Sequence, residues 1–368
     1  MKFNSELDDI VTYEGGKPIE LVVREFGIKE EDVIKLASNE NPNGTSLNVI
    51  EAIKEHASKV SIYPDDSMYR LKDSLAKRFR VESENIIIGA GSDQVIEFAI
   101  RAKANKNLKI LTAGITFAMY EIYAKQIGVE VVKTNSITHN LDEFLTIYKN
   151  NRDEIGIIFL CLPNNPLGES IPTREVYKFI SEIDSDTLVV VDGAYQEYAI
   201  FKDKKYEVVP SDLIDRFHNV LYLGTFSKAY GLGGMRVGYG IGQKSIIDVL
   251  YKLRPPFNIT TLSIEAALTA LEDEKFVEDS LRLNFNQMKR YEEIADKNQI
   301  DYINSYTNFI TLIFNEKYSS KEIADILLRE GIIVRDLTGY GLNAIRVTIG
   351  EPRQNDRFLE SFEKILLG

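Results

Sequence analysis

The densest group of reactive side chains is Thr225-Phe226-Ser227-Lys228, followed by Gly231-Leu232-Gly233-Gly234-Met235-Arg236-Val237-Gly238-Tyr239. Thr225 and Ser227 stand at alternate positions, so an extended segment turns both hydroxyls the same way. Arg236 adds a planar guanidinium suited to phosphate oxygens. The apolar run Val220-Leu221-Tyr222-Leu223 reads as a buried strand and puts Lys228 just beyond its carboxyl end, where α/β proteins bind ligands. A lone lysine is by default a solvated surface residue. One set among hydroxyls, a guanidinium and glycines suits a phosphate-bearing aldehyde held as an imine.

Three further segments fit that chemistry. Ile86-Ile87-Ile88-Gly89-Ala90-Gly91-Ser92-Asp93-Gln94 reads as strand, glycine turn and helix. The N–H groups of Ser92 and Asp93 would open the helix where its dipole favours phosphate, although such turns also merely join strands to helices. Asp192 closes the run Leu188–Val191, with Tyr195 three residues on. A carboxylate there can keep a pyridine nitrogen protonated and make the ring an electron sink; alternatively it caps a helix. Pro163-Asn164-Asn165-Pro166-Leu167-Gly168 closes the strand Ile157–Leu162. The Asn165 amide can donate to a phenolate oxygen, a task Tyr195 can share, while the Asn-Pro pair is also an ordinary turn signal.

The elements that must position these groups read as alternating strands and helices. Near-continuous apolar runs at 86–88, 157–160, 188–191 and 220–223 are typical of a mostly parallel sheet buried on both faces. Leu71, Leu75 and Phe79, then Val95, Ile96, Ala99 and Ile100, repeat at helical spacing. After about residue 262 a helical stretch near 264–298 leads to strands at Phe309–Phe314, Ile332–Arg335 and Ile345–Ile349. The reading is α/β: a large domain over 36–262, a smaller α+β domain over 263–368, and an N-terminal segment 1–35 packing on the small domain or reaching a partner subunit.

A chain of 368 residues suits two packed domains. A net charge of −12 argues against general affinity for nucleic acid or anionic membranes. The N-terminal residues carry charge where a signal peptide needs an apolar stretch, and no run approaches a membrane span. One cysteine, Cys161, is consistent with the cytoplasm and reads as a small core residue. His56, His139 and His218 are scattered without ligand spacing, so no metal is expected.

The order and spacing of these pieces resemble the aspartate-aminotransferase superfamily of pyridoxal-phosphate enzymes along essentially the whole chain. The resemblance implies fold type I, with Lys228 as the Schiff-base lysine and Asp192 as the partner of the ring nitrogen. It places Asn165 and Tyr195 on the ring oxygen, Phe117 stacked on the ring, and Ser92, Asp93, Thr225, Ser227 and Arg236 on the phosphate. Tyr63, in Tyr63-Pro64-Asp65, matches a tyrosine that reaches the phosphate from the other subunit, which implies a homodimer with shared active sites. Within the superfamily, Leu36-Ala37-Ser38-Asn39-Glu40-Asn41-Pro42, Gly91-Ser92-Asp93 and Ile345-Arg346-Val347-Thr348-Ile349-Gly350 resemble the histidinol-phosphate aminotransferase family.

That family implies a substrate site formed by Tyr13, Asn39, Arg335 and Arg346, with both arginines on a distal phosphate and Arg346 on the carboxylate of glutamate or 2-oxoglutarate. Gly15, Leu167 and Ile115 depart from its usual proline, threonine and proline. The implied reaction is ping-pong transamination, with Lys228 moving the proton from the substrate's α-carbon. Two other enzymes remain open on the same groups: a broader aromatic aminotransferase and a phospho-amino-acid decarboxylase. A non-catalytic cofactor-sensing regulator would need a basic DNA-binding segment, which the N-terminus lacks.

Overall fold

The computed structural model describes residues 4–8, 10 and 18–367. Seven strands form the central sheet, in the order Ile86–Gly89, Gly238–Gly242, Val220–Thr225, Leu188–Asp192, Ile155–Cys161, Lys109–Thr112 and Val131–Lys133. Gly238–Gly242 runs antiparallel to both neighbours, and the other pairs are parallel. Successive residues serve opposite cores, as a sheet covered on both faces requires. Ile158, Leu160, Val189 and Val191 face one core, whereas Ile157, Phe159, Leu188 and Val190 face the other. Helix Tyr69–Phe79 buries Leu71 and Leu75 against the first core, and Ser92–Lys103 buries Val95, Ile96, Ala99 and Ile100 against the second.

Gly238–Gly242 escapes a reading based on apolar runs, because its three glycines are poor strand formers. The structure supplies the reason. The amino end of helix Ser92–Lys103 presses so closely on this strand that a Cβ at Gly238 would lie 2.0 Å from the Ser92 nitrogen.

A second, antiparallel sheet has the order Arg335–Asp336, Ala344–Thr348, Phe309–Ile313 and Asp301–Tyr302. Helices Glu274–Lys297, Ser320–Arg329 and Pro352–Leu367 cover it through Met288, Tyr291, Leu327, Phe358 and Phe362. Ile34–Lys35 pairs in parallel with Ile332–Ile333, and helix Ile19–Phe26 sets Val22 in a small core with Ile333. The architecture is thus a mostly parallel α/β sheet unit with a smaller α+β unit.

The helical stretch expected over 264–298 is two helices, Thr261–Glu272 and Glu274–Lys297. Asp273 separates them because its carboxylate accepts from the Phe276 N–H, from Ser46 Oγ and from Asn48 Nδ2. Local side-chain bonds of this kind compete with helix continuation. Among the described residues, no helix is long and apolar enough to cross a membrane.

Candidate active site

The parallel strands end in register: Cys161 pairs with Asp192, and Asp192 with Leu223, two residues before Thr225. Their carboxyl ends therefore open onto one cavity. Ser92, Asp93, Phe117, Asn165, Asp192, Tyr195, Thr225, Ser227, Lys228 and Arg236 all line it. So do Gly91, Cys161 and Ala194.

One end of the cavity is built for an anion. Gly91, at φ 79°, precedes helix Ser92–Lys103, and a Cβ there would lie 2.6 Å from Arg236 Nη2. Arg236 Nη1 donates to Ser227 Oγ at 3.3 Å and to the Gly233 carbonyl at 3.1 Å. The guanidinium, the two hydroxyls and the helix N-terminus thus converge.

The same lining holds a buried carboxylate. Burial pushes the Asp192 carboxyl up to about 6, opposed by hydrogen bonds from Tyr120 Oη to Oδ2 (2.6 Å) and from the Ala194 N–H to Oδ1 (3.1 Å). Lys228 Nζ sits 5.6 Å from the centre of the Tyr195 ring and contacts the Ser38 and Asn39 carbonyls at 3.5 and 3.4 Å. Desolvation pulls its ammonium down to about 8; Arg346 and Arg236 act in the same direction, against Glu40 and Asp93.

Hydrogen-bond logic orients the remaining groups. Arg346 Nη1 donates to Asn165 Oδ1 at 2.6 Å. Arginine has no acceptor, so the oxygen of that amide must face it, and Nδ2 is the end left for the cavity. Thr348 Oγ1 accepts from the Asn39 N–H at 3.0 Å and donates back to Asn39 Oδ1 at 3.1 Å. This turns Asn39 Nδ2 onto Tyr195 Oη at 2.8 Å, so the phenol accepts there and keeps its own proton for another partner. Asn39 holds this position at φ 56°, a left-handed conformation in which asparagine is enriched.

The segment 36–41 ties both sheets to the site. The Leu36 carbonyl accepts from the Thr348 N–H (2.8 Å), and that of Ala37 from Arg346 Nη2 (2.6 Å). Asn308 Nδ2 donates to the Asn39 carbonyl (3.0 Å), and Asn41 Nδ2 to that of Ala229 (2.9 Å). Arg335 stands opposite Arg346 on the next strand.

One expected contributor lies outside this cavity. Tyr63 is 79 % exposed, outside this chain's cavity, and stacks on Phe257 at 4.6 Å. Tyr13 lies outside the described residues.

Other neighbours carry no motif of their own. Tyr120 is fully buried, and its only advance sign is its place three residues after Phe117 at the start of helix Met119–Gln126. Cys161 is a core residue whose register opposite Asp192 also brings it to the cavity. His139, with no metal cluster among the described residues, instead has Nδ1 3.1 Å from Glu169 Oε1. Glu169 Oε1 also accepts from Asn164 Nδ2 (2.8 Å), and Asn164 Oδ1 accepts from Thr116 Oγ1 (2.9 Å). That network joins the loop of Asn165 to the segment of Phe117.

Residues 31–362 match the family model for aminotransferase class I and II. The chain is 62% identical over 366 residues to the histidinol-phosphate aminotransferase of Aliarcobacter butzleri, covering 100% of this chain and 99% of that one. It is 61% identical to the enzyme of the same name from Campylobacter concisus, with full coverage of both. A crystal structure of histidinol-phosphate aminotransferase from Sinorhizobium meliloti, in complex with pyridoxal-5'-phosphate, superposes with a TM-score of 0.89 at 24% identity, covering 99% of this chain and 97% of that one. The chain belongs to the class I and II aminotransferases and, within them, to the histidinol-phosphate aminotransferase family.

Proposed function

We propose that the cavity holds pyridoxal 5′-phosphate on Lys228. The reaction is transamination of L-histidinol phosphate with 2-oxoglutarate, giving imidazole-acetol phosphate and L-glutamate in histidine biosynthesis. The observation that carries this reading is a single cavity containing a depressed lysine, a buried carboxylate and an anion cradle, with Arg346 bonded to its wall through Asn165. The substrate follows from kinship with relatives of that name over their full length.

The residues present fit the cofactor: phosphate for Ser92, Asp93, Thr225, Ser227 and Arg236; a ring nitrogen for Asp192; a phenolic oxygen for Asn165 Nδ2 and Tyr195 Oη; an aromatic face for Phe117. When bound, the cofactor supplies an electron-deficient ring that draws in the electrons of a broken bond at the substrate's α-carbon. Asp192 keeps a proton at the ring nitrogen. Lys228, whose ammonium burial pulls down to about 8, takes the α-proton and returns it at the neighbouring carbon. Arg346, with Arg335, Asn39 and Tyr13, holds the substrate's anionic end. Domains 36–262 and 263–368, with the segment 1–35 beside the latter, would each contribute to this cleft.

A homodimer with Tyr63 serving the opposite site is supported by the exposed apolar group Val60, Ile62, Tyr63 and Phe257. The buried single thiol of Cys161 favours the cytoplasm. An amino-donor panel with product identification tests the reaction. Histidinol phosphate is expected to be the fastest donor. Faster turnover of phenylalanine or tyrosine would favour a broader aromatic aminotransferase, and carbon dioxide release from a phospho-amino acid would favour a decarboxylase.

A further inference from the structure

We infer that Tyr120 is a positioning residue for the reaction, its hydroxyl holding Asp192 as an ionised acceptor toward the cavity while its ring braces Phe117. This rests on the reading of Asp192 as the partner of the ring nitrogen. Tyr120 stands in the first turn of helix Met119–Gln126 and is 1 % exposed. Its ring stacks on Phe159 at 4.3 Å and meets Phe117 edge-on at 5.6 Å. Packing on both sides leaves the hydroxyl little freedom, and it meets Asp192 Oδ2 at 2.6 Å.

The direction of that bond follows from acidity. Burial raises the Tyr120 phenol well above its ordinary value, so the phenol is the donor and the carboxylate the acceptor. The Ala194 N–H donates to the other oxygen. Two donated hydrogen bonds stabilise the charged carboxylate more than the neutral carboxyl, so the pair of bonds favours the anion. The remaining surroundings oppose that state: burial and the negative charge of Asp93 both favour a neutral Asp192, while Cys161, opposite in register, brings no positive charge. Without the hydroxyl, a proton would settle on Oδ2. A neutral Asp192 would then donate to the ring nitrogen rather than accept from it, and the ring would lose its positive charge. Only the location of one proton changes.

The test uses holoenzyme reconstituted with pyridoxal phosphate labelled with nitrogen-15 in the ring, observed by NMR. In Tyr120→Phe, which keeps the ring packing, the ring-nitrogen signal is expected to move from its protonated toward its unprotonated position. The single-turnover rate with histidinol phosphate is expected to fall on the order of ten- to a hundredfold, the equivalent of one hydrogen bond to a charged group, with KM little changed. Tyr120→His, which retains a ring N–H donor, is expected to hold the signal at the protonated position. An unmoved signal in Tyr120→Phe, alongside a moved one in Asp192→Asn, would overturn the inference and leave the reading of Asp192 standing. An unmoved signal in Asp192→Asn as well would remove that reading itself.

Discussion

Arg335 and Arg346 face each other directly across two adjacent antiparallel strands. Opposed side chains on one face of such a pair have Cβ atoms about 4.5–5.5 Å apart, and like charges so placed repel. Arg346 is buried and committed to Asn165 and the Ala37 carbonyl. One arginine suffices for a carboxylate. Two in opposition suit a phosphomonoester carrying about −1.5 to −2 charges near neutrality.

Arg335→Ala is accordingly expected to raise KM for histidinol phosphate far more than KM for glutamate. Loss of a desolvated charge pair amounts to about 2–5 kcal/mol, and the half-buried setting of Arg335 points to the lower part of that range. Steady-state kinetics on both substrates decides. Equal effects would give Arg335 a general structural role instead.

Purified enzyme is expected to be yellow, and borohydride to fix the cofactor covalently to Lys228. Lys228→Ala is expected to bind cofactor only non-covalently and to lose transamination by at least roughly 10²–10⁴-fold, the usual contribution of a positioned general base. Mass mapping of the reduced, digested protein checks the site, and a label on another lysine would refute it.

The depressed lysine also has a signature in cofactor-free protein. Its value is near 8 when folded and 10.5 in the unfolded chain, so below pH 8 the folded state carries the full cost of a desolvated charge. That cost fades as pH rises from 8 to 10.5. Lys228→Met is expected to stabilise the apo protein at pH 7 by on the order of 3 kcal/mol, with the advantage vanishing above pH 10.5. Paired denaturant titrations across pH measure it; a difference independent of pH would contradict the assignment.

Tyr63 is examined by mixing. Hybrids of Lys228→Ala with Tyr63→Phe protomers contain one site with both defects and one with neither, if each tyrosine serves the opposite subunit. Activity is expected to exceed that of either parent once subunits exchange. No gain despite proven exchange would place Tyr63 outside the partner's site.

Much of the site was legible because it is local to strand ends. Lys228, Asp192, Asn165 and Ser92 each follow an apolar run that folds as a strand, and the parallel register then aligns them. What stayed hidden depends on contacts distant in sequence. Tyr120 meets Asp192 across 72 positions, and Asn39 meets Tyr195 across 156. The strand Gly238–Gly242 was hidden for a different reason: its glycines serve the closeness of a helix rather than strand propensity. The break at Asp273 was masked by apolar periodicity on both sides and appears only once Ser46 and Asn48 are beside it.

The clasp made by residues 36–41 bears on the order in which a ribosome can finish this protein. A nascent chain that has reached Gly242 contains every strand of the seven-stranded sheet. It still lacks Asn308, Arg346 and Thr348, which grip the Leu36, Ala37 and Asn39 carbonyls and set the Asn39 side chain. The Arg346–Ala37 bond closes a loop spanning 309 positions, a late event in a chain whose seven-stranded sheet is already complete by then. Cofactor capture in its final geometry therefore has to wait for the last strand, and an abandoned fragment would display the lysine without the grip that orients its surroundings.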